Sequence, residues 1–155
     1  MMKIPCEIVV WYMLPTIRKG VAKELVEVHG LTQSKVARIF GVTDAAVSQY
    51  LRNKRGDYDV VVNSPGFPMV QEEMAAAASR IVNTGSDFAT EICNICMVAK
   101  SCGILGKIYE IELGTTMPEC NCSDQILMNS ELYRNSWEYP AYLPNFFSAN
   151  SDSFL

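Results

Sequence analysis

The sequence predicts a mainly α-helical fold, in which a helix-turn-helix bundle is followed by a small helical region rich in cysteine. Two observations support this prediction. Residues 31–56, LTQSKVARIFGVTDAAVSQYLRNKRG, contain two short amphipathic segments separated by a turn with a glycine. Five of the six cysteines lie between positions 93 and 122. Apolar residues make up 49% of the 155 residues, which is enough for a folded core.

The chain begins with an apolar segment that we interpret as a first helix over Ile4–Leu14, with Pro5 tolerated in its first turn. Pro15 is expected to break or kink this helix, because proline lacks the backbone N–H of a helix interior. A second helix is predicted over Ile17–His29, with Gly30 as its end. This second helix would brace the pair of helices that follows.

The helix-turn-helix prediction depends on helix-capping residues at the expected positions. Thr32 can cap a helix that begins at the next residue, and Gly41 supplies the left-handed conformation that ends it. Thr43 can cap the second helix, predicted over Asp44–Leu51. The residues expected to face inward are Val36, Ala37, Phe40, Val47, Tyr50 and Leu51.

Short or hydrogen-bonding side chains then form an outward surface, which suits contact with the edges of bases in a DNA groove. Glutamine can bond adenine through two hydrogen bonds, and basic residues beyond the helix can meet phosphates. The candidate DNA-binding residues are Gln33, Thr43, Asp44, Ala45, Ser48, Gln49, Arg52, Lys54 and Arg55. The alternative is that this pair of helices belongs to an ordinary bundle with a solvated face, and that Asp44 only stabilises the N-terminus of its helix.

The whole chain carries a formal charge of −4, which argues against DNA binding. The distribution of this charge along the chain removes the objection. Residues 1–58 contain 9 Lys and Arg against 5 Asp and Glu, a net charge of +4. Residues 59–155 contain 4 against 12, a net charge of −8. The sequence therefore predicts a basic N-terminal half that faces a nucleic acid and an acidic half that faces away.

The segment 31–56 resembles the lambda-repressor-like (Cro-type) family of helix-turn-helix domains. The longer stretch 2–56 is similar to the N-terminal domain of a group of archaeal transcriptional regulators, some of which continue into a thiamine-phosphate synthase-like sensor domain. About 100 residues remain here, too few for that domain. The remainder resembles the short archaeal regulators with a cysteine-rich C-terminal part. The resemblance implies a DNA-binding transcriptional regulator that pairs such cysteines with a helix-turn-helix.

The second half of the chain is predicted as a dimerisation helix with a cysteine cluster, over residues 59–122, and a flexible tail over 123–155. Asp59–Val62 is interpreted as a strand or an extended linker, and Ile108–Leu113 as a strand. Helices are predicted over Pro68–Val82 and Ser86–Cys93. The apolar face of the helix over Pro68–Val82 packs either within the chain or against a second copy, and we favour a homodimer because helix-turn-helix proteins bind palindromic sites as symmetric pairs. The residues of this face are Val70, Met74, Ala77, Ala78 and Ile81.

The cysteines of the second half follow the pattern C-x2-C-x5-C-x17-C-x-C. In a cytoplasmic protein such a cluster indicates metal or redox chemistry before structural disulfides. We expect Gly103 and Gly106 to permit a tight loop around the third cysteine, and one of the last two to supply the fourth ligand. The candidate metal ligands are Cys93, Cys96, Cys102, Cys120 and Cys122. Cys6 stands apart, either as a small buried residue or as an additional ligand if the two halves pack together.

The apolar surroundings of these cysteines favour an iron–sulfur cluster, because an apolar shell shields a cluster from solvent. A structural zinc site with four thiolates, a thiol–disulfide switch without metal, and no special role remain alternatives. The only histidine, His29, lies in the first half, which argues against a zinc site with histidine ligands.

Other classes of protein are disfavoured by what the sequence lacks. It contains no glycine-rich phosphate loop and no Ser/His/Asp or Cys/His set, so we expect no enzymatic activity. No run of 18 apolar residues is present, and the N-terminal apolar segment is interrupted by Pro5, Glu7 and Pro15. We therefore expect a cytoplasmic protein without a signal peptide or a membrane span.

The favoured hypothesis is a homodimeric, sequence-specific transcriptional regulator that senses redox or iron–sulfur status. In this hypothesis a cluster orders residues 93–122, and its loss changes the distance between the two DNA-binding helices. One alternative is a regulator with a structural zinc site. The other is a sulfur-transfer or iron–sulfur enzyme that carries a nucleic-acid-binding domain.

Overall fold

A computed structural model of the chain describes residues 4–118. These residues are mainly α-helical, as predicted, and contain no strand. The α-helices are α1 (Pro5–Ile8), α2 (Leu14–Lys23), α3 (Gln33–Phe40), α4 (Asp44–Leu51), α5 (Asp59–Val62), α6 (Phe67–Thr84), α7 (Phe88–Ser101) and α8 (Ile104–Ile108). Three π-helical turns extend them, Val9–Met13 and Glu24–Val28 at the two ends of α2 and Tyr109–Leu113 after α8.

The N-terminal segment is a helical rod without a break, so the expected interruption at Pro15 is wrong. The backbone stays helical from Pro5 to Val28. The helix widens into the π-turn Val9–Met13 just before Pro15, and such a turn is one way in which a helix accommodates irregular backbone hydrogen bonding. Gly30, with φ +68°, follows the end of the rod, as predicted.

Both segments predicted as strands are helical. Asp59–Val62 forms one helical turn in which Val61 is buried, so packing overrides the preference of the valines for extended backbone. Ile108–Leu113 continues from α8, because Ile104, Leu105 and Ile108 recur at the helical spacing i, i+1 and i+4 and are all buried. The apolar–polar alternation of Ile108–Leu113 suggests a strand only when this segment is considered without the α8 residues that precede it.

The core lies where α6 packs against α7 and α2. The absence of a side chain at Gly20 allows α2 to lie close to α6, since a Cβ atom there would lie 2.1 Å from Met74 Sδ. The face of α6 that we assigned to dimerisation is therefore used inside a single chain, and its residues Ala77 and Ala78 are fully buried. The interpretation of this face as a dimer interface is wrong, while the homodimer itself stays a prediction.

A buried charge cluster joins α6 to α7. The Arg80 guanidinium donates from Nε to both carboxylate oxygens of Glu91, at 3.2 and 3.0 Å, and from one terminal nitrogen to Glu91 Oε2 at 2.6 Å and to Glu73. Both carboxylates are almost fully buried. Asn94 donates from Nδ2 to Glu91 Oε2 at 3.0 Å. Burial raises the pKa of Glu73, and the Arg80 charge opposes that rise.

Helices from both sides of residue 58 share the core, since α2 packs against both α4 and α6. The described residues belong to one compact unit. The division into domains at residue 58 stays a prediction. The predicted flexible tail over 123–155 and the candidate ligands Cys120 and Cys122 lie outside the described residues.

Within residues 4–118, no single helix has the length and apolar character needed to cross a membrane. The bent pair Phe88–Ser101 and Ile104–Leu113, with a 74° bend, passes that test only on length and composition.

Replacement of Arg80 by methionine should destabilise the fold by about 3–5 kcal/mol, because two buried carboxylates lose their only cation in the cluster. Glu73→Gln should cost less, since Arg80 keeps Glu91 and the amide places no charge in the core. Urea denaturation of both variants measures the difference. Equal losses in the two variants would contradict the assignment of Arg80 as the centre of the cluster.

Candidate nucleic-acid interface

Two short helices, α3 and α4, are joined by a three-residue turn, and both helices have the capping residues that the sequence predicts. The Thr32 side chain accepts from the Lys35 N–H at 3.3 Å, and the Thr43 side chain accepts from the Ala46 N–H at 3.2 Å. Gly41 adopts the left-handed conformation with φ +65°. These caps satisfy N–H groups at the start of each helix and fix where the turn begins and ends.

The α4 helix rests on α2 and α3, so that one face is buried and the opposite face is open to solvent. Val47 and Tyr50 are buried, as predicted, while Leu51 is half-buried. On α3 the predicted inward residues Val36, Ala37 and Phe40 are buried. The solvent face of α4 is therefore presented by a helix that is held from behind by two others.

The candidate DNA-binding residues are exposed to solvent, with one partial exception. Ser48 is half-buried, and the others are exposed: Gln33, Thr43, Asp44, Ala45, Gln49, Arg52, Lys54 and Arg55. Two further basic side chains, Lys35 and Arg38 of α3, are exposed and were missed by the sequence analysis. Their positions outside the buried face of α3 could have identified them.

Asp44 has a partner within the chain. Its carboxylate accepts a hydrogen bond from the Ser34 hydroxyl, which ties the first turn of α4 to the first turn of α3. Asp44 is also the acidic residue in the first turn of α4, where a negative charge is favourable. This geometry supports the structural interpretation of Asp44, while base contact by Ala45, Ser48 and Gln49 stays a prediction.

The segment that leaves α4 is anchored on α2. The Lys19 ammonium forms an ion pair with Asp57, two residues after Arg55. Gly56 has φ +95°, and a Cβ atom there would lie 2.7 Å from the Pro15 carbonyl oxygen, so only glycine permits this approach. The exposed Lys54 and Arg55 are thus carried by a segment with a fixed attachment just beyond them.

An aromatic stack connects α3 to the second half of the chain. The rings of Phe40 and Phe88 lie 4.0 Å apart between centroids, with an interplanar angle of 16°. Both residues are buried, and Phe88 is the first residue of α7. The position of α3 therefore depends on a helix that begins nearly fifty residues later in the sequence.

Three of the four described cysteines lie on α7 or at its C-terminal end. Cys93 and Cys96 lie one turn apart on α7, which ends at Ser101. The tight turn expected at the third cysteine is present, since Cys102 and Gly103, with φ +82°, link α7 to α8, whereas Gly106 lies inside α8. Cys102 ends the helix and packs against Gly66, whose added Cβ would lie 2.8 Å from the Cys102 Sγ. Within residues 4–118, no three Cys, His, Asp or Glu side chains are arranged to hold a metal ion.

The helical backbone sets the distance between the first and third cysteines of the cluster. Cys102 lies nine positions after Cys93, which corresponds to about 13 Å along a helix axis. Thiolates bind zinc at about 2.3 Å, so these two cannot share one ion in this conformation. Cys93 and Cys96, one turn apart, have the spacing that allows both thiolates to bind one metal ion or cluster.

Cys6 differs from the expectation of a buried residue. It is exposed on α1, because Ile8, Val9 and Met13 take the buried face of the N-terminal rod. Burial raises the pKa of the Cys93 thiol, and the neighbouring Cys6 and Asp87 raise it further. The alternative role of Cys6 as an additional ligand stays a prediction.

Comparison of the chain with protein-family models, with curated proteins and with solved structures finds no match.

The Phe40–Phe88 stack should show a measurable coupling. Each phenylalanine-to-alanine substitution should lower the free energy of unfolding by about 3–5 kcal/mol. A double-mutant cycle should give a coupling of about 0.5–1.5 kcal/mol, the range of direct aromatic contacts. Denaturation of the two single variants and the double variant measures it, and strict additivity would contradict a direct contact.

Proposed function

We propose that this protein binds double-stranded DNA sequence-specifically through α4 and acts as a transcriptional regulator. The observation that carries the proposal is the solvent face of α4, where exposed Ala45, Gln49 and Arg52 stand on a capped helix supported by α2 and α3. A helix with this support and small or hydrogen-bonding side chains suits entry into the major groove.

The side chains divide by the contacts they would make. Gln49 has the amide that bonds adenine through two hydrogen bonds, and Ser48 can serve as donor or acceptor. Arg52, Lys54 and Arg55 would contact phosphates, which position the helix without selecting a sequence. The net charge of +4 over residues 1–58 supports attraction to the duplex.

Binding as a homodimer is part of the proposal. The eight residues of α4 span only about 12 Å, so one copy can contact only a few base pairs. Proteins that use such a helix gain affinity and specificity from two half-sites related by symmetry. The apolar face of α6 is buried within the chain, so the dimer must use another surface.

Selection of duplexes from a random library by the purified full chain should enrich one sequence. Gln49→Ala should weaken binding to that sequence by about 1–3 kcal/mol and relax the preference at one position, because a base contact is lost. Arg52→Gln should weaken binding to all sequences and reduce the slope of log K against log salt by about one. Titrations at several salt concentrations measure both effects.

The matched control is Lys107→Gln, which removes an exposed positive charge from α8. It should leave the affinity and the salt slope unchanged. Enrichment of no sequence, or an equal effect of the Arg52 and Lys107 substitutions, would overturn the proposal.

A second proposal concerns the cysteines, and the observation that favours it is the pair Cys93 and Cys96 on adjacent turns of α7. We propose that this pair, with Cys120 and Cys122, holds an iron–sulfur cluster, with zinc as the alternative metal. A cluster would supply a redox-sensitive centre, and DNA affinity would then respond to oxidation. Thiolates are the ligands that both an iron–sulfur cluster and structural zinc require.

Metal content of anaerobically purified variants tests this assignment. Cys93→Ser and Cys96→Ser should each lower the bound iron and sulfide, or zinc, to background. Cys102→Ser should retain the metal, because its side chain lies about 13 Å along α7 from Cys93. A wild-type protein free of iron, sulfide and zinc would overturn the proposal, and loss of metal only in the Cys102 variant would overturn the choice of ligands.

A further inference from the structure

A cavity of about 360 Å³ lies beside the segment that leaves α4. Its walls come from α2, from Gly56 and Asp57, from α5 and from the first half of α6. A volume of this size accommodates a small organic molecule. The site therefore adjoins the candidate DNA-binding surface without including any of its residues.

One side of the cavity is polar. Lys19 and Lys23 line it from successive turns of α2, together with Thr16 and Glu24. Lys19 is paired with Asp57, whereas Lys23 makes no ion pair within 4.0 Å among the described residues. Thr16 is 3% exposed, and its Oγ1 is buried without a hydrogen-bond partner.

The part of the lining that comes from α5 and α6 is apolar except for Gln71. Met74 and Phe67 of α6 and Val62 of α5 line it, and Met74 is almost fully buried. Met74 packs against Gly20, so this wall belongs to the packed core. Two lysines and two carboxylates, Glu24 and Asp57, line the cavity, and Lys23 is the lysine without an ion-pair partner among the described residues. Lys23 beside an apolar wall suits a molecule with one anionic group and one apolar body.

We propose that this cavity binds a small carboxylic acid with an apolar body, and that binding regulates the DNA-binding segment. The carboxylate contacts Lys23 and Lys19, and the apolar body packs against Met74 and Phe67. A carboxylate bound to Lys19 competes with Asp57 for the lysine charge. Binding therefore weakens the Lys19–Asp57 ion pair, which attaches the segment after Arg55 to α2. The regulatory part of this inference rests on the proposed DNA-binding function, whereas the binding part does not.

Binding is tested without DNA, on the full chain carrying ¹³C-labelled methionine methyl groups. Phenylacetate, isovalerate and indole-3-acetate are the probes, and Met74→Leu assigns the Met74 signal. At least one probe should shift that signal saturably, and its neutral amide should not. Lys23→Gln should weaken binding at least about tenfold, the effect of losing one charge-assisted contact.

The matched control is Lys35→Gln, which removes an exposed charge from α3 outside the cavity. It should leave probe binding unchanged. Absence of a saturable shift with all three acids, an equal response to the amides, or unchanged binding in the Lys23 variant would each overturn the proposed site.

The regulatory arm compares DNA affinity with and without the probe that binds. The probe should change the affinity of the wild type for the enriched duplex, and the change should disappear in Lys23→Gln. Saturable binding of the probe with unchanged DNA affinity would overturn the proposed regulation, while the proposed binding site would stand. Failure of the chain to enrich any duplex would overturn the proposed function, while the methionine signals still report on the cavity.

Discussion

The fold depends on one arginine that serves two buried carboxylates. Arg80 and Glu73 lie on α6 and Glu91 lies on α7, and the two carboxylates are almost fully buried. A buried carboxylate without a partner is strongly unfavourable, so the register that places Glu91 beside Arg80 is favoured over registers that would leave it unpaired. The apolar face of α6 supplies the area of contact.

This pairing determines the position of the candidate DNA-binding surface. With α7 in place, Phe88 stacks on Phe40, and Phe40 is the last residue of α3. The α3 helix in turn supports α4, which also rests on α2. A change in the second half of the chain, at the cysteines of α7 or in the cavity against α6, thus has a physical route to α4 through packed side chains.

Local chemistry explains which elements could be predicted. Thr32, Gly41 and Thr43 set the ends of α3 and α4 through interactions within a few residues, so their effect does not depend on the rest of the fold. Asp59–Val62 and Ile108–Leu113 have weak local preferences, and each becomes helical because the packed core buries its apolar residues in a helical arrangement. The two strand expectations failed because tertiary burial outweighed local preference.

The sequence alone determined the capped pair of short helices, the exposed side of α4 and the separation of a basic half from an acidic one. These features depend on residue type and spacing over one or two helical turns. Only the tertiary structure decided that the alanine face of α6 packs within the chain, that Cys102 lies against Gly66, and that a cavity adjoins Asp57. Each of these features brings together residues that are distant in the chain, and the local sequence does not specify which distant segment supplies the contact.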